Sequence, residues 1–138
     1  MTEIKLKRLS GFKFEASNSI GKTAILDGPA KIGGSDDGLR PMEMLLIGLA
    51  GCSSIDVLMI LEKGRQEVKD LEVVVQAERA DAVPAVFTTI NVHFKASGSL
   101  TAKRLESAVA LSMEKYCSVA AMLDKVAKIT HSCEILER

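Results

Sequence analysis

The 138-residue chain has no tryptophan, one tyrosine and four phenylalanines, and its 18 lysines and arginines are matched by 18 aspartates and glutamates. With no net charge and its basic residues scattered, nothing steers it toward a phosphate backbone. So few aromatics also leave little on which bases could stack, and no nucleic-acid partner is expected. Cysteines number three, odd and widely spaced, which is not the framework of a small secreted disulfide protein. Met1 to Ala16 alternates instead of running apolar, unlike a signal peptide. The central apolar segment fits a buried helix better than a membrane span. The longest uncharged stretch of the central apolar segment, Met44 to Ile55, has twelve residues between Glu43 and Asp56. A span needs about twenty. These absences favour a cytoplasmic protein without a membrane partner, and the length suits one domain over 1–138.

What is present is alternation and one apolar helix. Ile4-x-Leu6 and Phe12-x-Phe14-x-Ala16 interleave with charged residues, predicting a hairpin around Ser10-Gly11, and Lys22 to Leu26 adds a short third strand. "DGPAKIGGSDDGLRP" is a loop ending in a proline suited to a first helical position. Met42 to Lys63 is a helix apolar on nearly every side, with Gly64 as its stop. Leu71 to Ala77 and Val86 to Ala96 alternate as strands. A helix capped by Ser99 or Thr101 runs to Tyr116, a short helix follows from Ser118 to Ala127, and Lys128 to Leu136 forms the last strand. The expected class is α+β, with antiparallel sheets around a long buried central helix. One small sheet covers such a helix poorly, so a second copy in a twofold homodimer is expected to cover the rest.

Cys52 lies in the middle of that helix. Its neighbours on the same face are Gly48, Leu49, Ile55, Asp56 and Met59, which together outline an apolar pocket beside the sulfur. Asp56, one turn away, opposes the thiolate. Two readings stay open from position alone: a small buried hydrophobe, or a reactive thiol. Cys117, in "EKYCSVAAML", falls where one helix ends and Ser118 opens the next, where unpaired N–H groups lower a thiol pKa. Packing at the junction is the alternative. Cys133 shares a strand face with His131, half of a metal site, but no further ligands stand at recognisable spacing, so it reads as core and no metal is expected. His93 sits on the polar strand face. No phosphate loop and no Gly-x-Ser-x-Gly elbow is present.

"PMEMLLIGLAGCSSIDV" and "EKYCSVAAML", with their cysteines 65 positions apart, resemble the two signatures of the OsmC/Ohr superfamily, and the order of elements matches from end to end. The resemblance implies an OsmC-like fold in an intertwined homodimer with paired sites at the subunit interface. It implies thiol peroxidase chemistry on organic hydroperoxides in the response to oxidative stress. Cys52 would be the peroxidatic thiol and Cys117 the resolving one, regenerated by an external dithiol such as dihydrolipoamide and needing no bound cofactor. Peroxidases of the family also use an arginine from the N-terminal strands and a glutamate ten residues before the first cysteine. Here that position is Met42, while Glu43 falls on the helix face opposite Cys52, and Arg8 and Arg40 are the arginines that precede the helix. Glu43 and Arg40 are the auxiliary candidates. The pattern is closer to the YhfA-like branch, and the alternative for this chain is a non-catalytic redox sensor or small-ligand-binding dimer that lost the catalytic arginine and glutamate.

Overall fold

Residues 1–137 are described by a computed structural model of the chain. They form two compact units, Met1–Leu46 and the chain from Ile47 onward.

In the first unit β1 (Lys5–Ser10), β2 (Lys13–Ser17) and β3 (Thr23–Leu26) form an antiparallel meander. The β1–β2 turn uses Gly11 at φ +50°, a conformation glycine adopts without steric penalty. No side chain of β1 is buried within the chain; Ile4, Leu6, Leu9 and Phe12 are all exposed. The loop after β3 is organised, though nothing in its residue pattern marks that. The Asp27 carboxylate accepts the backbone N–H of Gly28, Ser35 and Asp37, and a 3-10 turn forms over Ala30–Ile32. Burial pushes the Asp27 carboxyl up, but those N–H groups and the Lys13 ammonium outweigh it and hold it below the usual carboxylate range. Helix α1 (Pro41–Lys63) then begins at its proline.

In the second unit β4 (Glu67–Arg79) pairs antiparallel with β5 (Phe87–Ser99), and β6 (Lys128–Ile135) pairs with β5 in parallel. The antiparallel expectation therefore holds for β1–β3 and for β4–β5 and fails for β6. Helices α2 (Ala102–Leu111) and α3 (Ser118–Leu123) carry the chain from the end of β5 back to β6, and a crossover of that kind sets the two strands parallel. Alternation sorts the faces. Ile90, Val92, Phe94 and Ala96 of β5 are buried, as are Leu105, Ala108 and Val109 of α2, which lies against β6. Each large side chain sealed in this way stabilises the fold by about 1.5–3 kcal/mol. Thr101 is the residue that caps α2, its hydroxyl accepting the Arg104 N–H. Gly98, at φ +129°, faces the bulge in β4; a Cβ there would lie 2.2 Å from the Glu67 carbonyl oxygen.

Helix α1 is fully buried only at Leu49, Ser53, Val57 and Leu61. These recur every four residues and drift slowly round the axis, so they make one narrow stripe. Leu45, Ile47, Ile55, Leu58 and Met59 remain exposed on the single chain. The helix is long and apolar enough by composition to cross a membrane. The helix stops before Gly64, as expected. Gly64 closes the last turn, but the left-handed residue is Arg65, at φ +58°. The Arg65 N–H bonds to the Glu62 carbonyl and the Gln66 N–H to that of Leu61, the paired bonds of a Schellman motif.

Candidate thiol site

Between α2 and α3 the chain does not run on as an α-helix. Ser112–Tyr116 form a single π-helical turn, closed by the Cys117 N–H donating to the Ser112 carbonyl at 2.7 Å. One residue more per turn shifts every side chain downstream of it, which is why such turns recur at functional sites. The Ser112 hydroxyl, fully buried, lies 3.1 Å from both the Ser53 carbonyl and the Asp56 carboxylate, tying this turn to α1. The Cys117 sulfur caps α3 by accepting the Ala120 N–H at 3.4 Å.

The outcome is a cluster from two elements. The sulfurs of Cys52 and Cys117 and a carboxylate oxygen of Asp56 all lie within 4.8 Å of one another. Cys52 and Asp56 are half-buried and Cys117 is 3% exposed, all three cysteines of the chain being free thiols. Two sulfurs that close need only side-chain rotation and a small backbone adjustment to reach bonding distance.

The charge state of Cys117 departs from the sequence expectation. Burial pushes its thiol up, and the adjoining Cys52 sulfur adds to this. The N–H groups of Ala120 and Val119 pull it down, as a helix start should, but do not prevail, and the pKa is raised to about 11. The six residues of α3, fewer than two turns, supply too little dipole, and the site is too dry, for the junction to yield a thiolate. At neutral pH Cys117 is a thiol.

A cavity of about 430 Å³ opens beside the cluster, lined by Asp56, Met59, Ile60, Lys63, Leu111 and Tyr116. Its size suits a small organic molecule. Asp56 belongs to both the cluster and the cavity wall, so a ligand lying in it is next to the thiols. Of the pocket residues read from the sequence, Asp56 and Met59 line this cavity. Leu49 is wholly inside the core, Ile55 is 61% exposed, and Gly48 has open space where a Cβ would be. Ile60, Lys63, Leu111 and Tyr116 were not foreseen; Leu111 and Tyr116 reach the cavity from elements distant in sequence, and no local pattern marks that.

The auxiliary candidates are engaged within the first unit. The Glu43 carboxylate accepts the Arg40 backbone N–H at 2.8 Å, half of a capping box. The Arg40 guanidinium is paired with Asp36, and Arg8 donates to the Gly11 carbonyl. His131 meets Glu114 at 3.3 Å and Cys133 lies on the half-buried face of β6, its thiol raised by burial and by Glu106. His93 bonds to Ser132 and Glu134 on the neighbouring strand.

A profile of the OsmC-like protein family matches residues 34–132. Protein YhfA of Escherichia coli K12 is 43% identical over 135 residues, covering 97% of this chain and 98% of its own. The crystal structure of a hypothetical protein from Aquifex aeolicus superposes with a TM-score of 0.87 at 37% identity, over 100% of this chain and 98% of that one. An organic hydroperoxide resistance protein from Legionella pneumophila shares the fold at TM-score 0.70 and 17% identity, over 97% and 96% of the two chains.

Proposed function

Because the chain belongs to the OsmC-like protein family, we propose that it is a thiol-dependent redox protein that reduces organic hydroperoxides, with Cys52 as the attacking thiol and Cys117 as the resolving one. The observation that carries the reading is the approach of those two sulfurs to within 4.8 Å beside an apolar cavity. The Cys52 sulfur, having lost its proton, attacks a peroxide oxygen. The O–O bond breaks, the alcohol leaves with one proton, and Cys52 becomes a sulfenic acid. Cys117 then attacks that sulfur; its proton goes with the departing hydroxyl as water, Asp56 standing near enough to relay it, and a disulfide forms. An external dithiol of the dihydrolipoamide kind reduces the disulfide by exchange. The Met59, Ile60 and Leu111 wall takes the apolar part of the hydroperoxide. Free thiols that must be recycled suit a reducing, cytoplasmic setting. A homodimer, covering the exposed face of α1, is part of the proposal.

Cys52→Ser is expected to abolish consumption of cumene hydroperoxide in the presence of dihydrolipoamide. Full activity in that variant, or none in the unaltered chain with any dithiol, overturns the reading. A second reading has an observation of its own. Arg40 and Glu43 are engaged with Asp36 and the helix cap, so a sensor that oxidises once without turnover also fits. In that case mass spectrometry after brief peroxide exposure finds the Cys52–Cys117 disulfide while steady-state consumption stays at background.

A further inference from the structure

Asp56 is out of place in a site built only to make a thiolate. An ionised carboxylate within 4.8 Å of both sulfurs repels every thiolate formed there. None of the ion pairs formed among the described residues includes Asp56. Ser112 holds the carboxylate by one oxygen, at 3.1 Å to Oδ2, and leaves the other free. One species would turn this repulsion into attraction: a cation bound by all three groups.

We infer that Cys52, Asp56 and Cys117 form a reversible site for a zinc-class divalent cation. The ligand set argues for that class. Two sulfurs exclude calcium and magnesium, while a carboxylate oxygen disfavours copper(I), which prefers sulfur throughout. Ligands on a tetrahedral zinc stand about 3.8 Å apart or a little less, given bonds of about 2.0–2.3 Å, so the three atoms need draw in by only about 1 Å. They come from rigid neighbours: two lie one turn apart on α1, and the third is fixed by the π turn and its cap on α3. Ser112 is the outer partner that orients the ligating carboxylate. Three protein ligands leave the fourth position to water or a small thiol from the cavity side, where Asp56 meets the opening. On binding, the two thiol protons go to solvent.

The site and the disulfide exclude each other, because sulfurs joined as S–S are no longer thiolates. Oxidation of the pair by a hydroperoxide, which is reduced to alcohol and water, therefore releases the cation, and the bound cation shields the pair from oxidation. The inference stands on the placement of three side chains and does not require turnover.

The test is titration of the reduced full-length protein with Co²⁺, then Zn²⁺, under argon. A tetrahedral site gives intense visible Co²⁺ bands and a sulfur-to-cobalt charge-transfer band in the near ultraviolet, both removed by stoichiometric Zn²⁺. Asp56→Asn is expected to weaken binding at least about tenfold, since outer-partner losses alone have that effect. Cys133→Ser is expected to change nothing. Peroxide treatment should release the metal. Absence of the charge-transfer band, or equal binding by Asp56→Asn, overturns the site; the Asn variant changes one atom and its fold is checked by circular dichroism. Hydroperoxide turnover is measured separately in chelator. Turnover without cobalt binding rejects the metal site and keeps the peroxidase reading; binding without turnover does the reverse.

Discussion

Cys117 shows how two opposite influences are ranked at one residue. A helix start offers its sulfur the N–H groups of Val119 and Ala120, and burial withdraws water from the same atom. Burial wins, because the charge it penalises is a full one and the helix start offers only partial ones. A thiol raised from the ordinary 9.0 to about 11 holds about a hundredfold less thiolate at pH 8 than an exposed cysteine. Cys117 is therefore expected to react with iodoacetamide about a hundredfold slower in the folded protein than in urea, followed by mass spectrometry of the peptide that carries it. The sign of the pH effect follows. The folded state favours the protonated thiol, so its contribution to stability is whole below pH 9.0 and is lost as pH rises toward 11. The two cysteines and Asp56 were legible as candidates from their surroundings in the sequence. The raised thiol was not, because burial is a property of the packed site.

At the scale of elements, the hydrophobic periods located the strands and helices, and the departures from them have local causes. The loop from Asp27 to Pro41 is held by a carboxylate that collects three N–H groups, an arrangement without periodicity. The π turn over Ser112–Tyr116 is invisible to patterning, since its apolar residues read as continued helix. The end of α1 puts the left-handed conformation on Arg65, one residue beyond the glycine that marks the stop. A non-glycine residue there is strained by about 1–2 kcal/mol. Arg65→Gly is expected to stabilise the protein by about 1 kcal/mol, read as a higher urea midpoint at unchanged m-value; a lower midpoint would show that the arginine side chain matters more than its backbone.

For the whole molecule, the exposed face of α1 is the feature that a single chain does not account for. Ile55, Leu58 and Met59 lie bare on a helix whose own chain buries only one stripe. A second copy laid over that face is expected to give a sedimenting mass twice that of the 14.8 kDa chain. Ile55→Glu with Leu58→Glu is expected to return it to one chain, because an unpaired charge at a buried interface costs several kcal/mol. A single-chain mass for the unaltered protein rejects the homodimer. The sequence by itself determined the α+β class, the central helix and the two family signatures, because periodicity and short motifs are written within neighbouring residues. Only the tertiary structure decided that Cys52, Asp56 and Cys117 meet, that Leu111 and Tyr116 join Met59 around a cavity, and that β6 runs parallel to β5. Distances between residues far apart in the chain depend on how its elements turn and pack, and no local pattern carries that information.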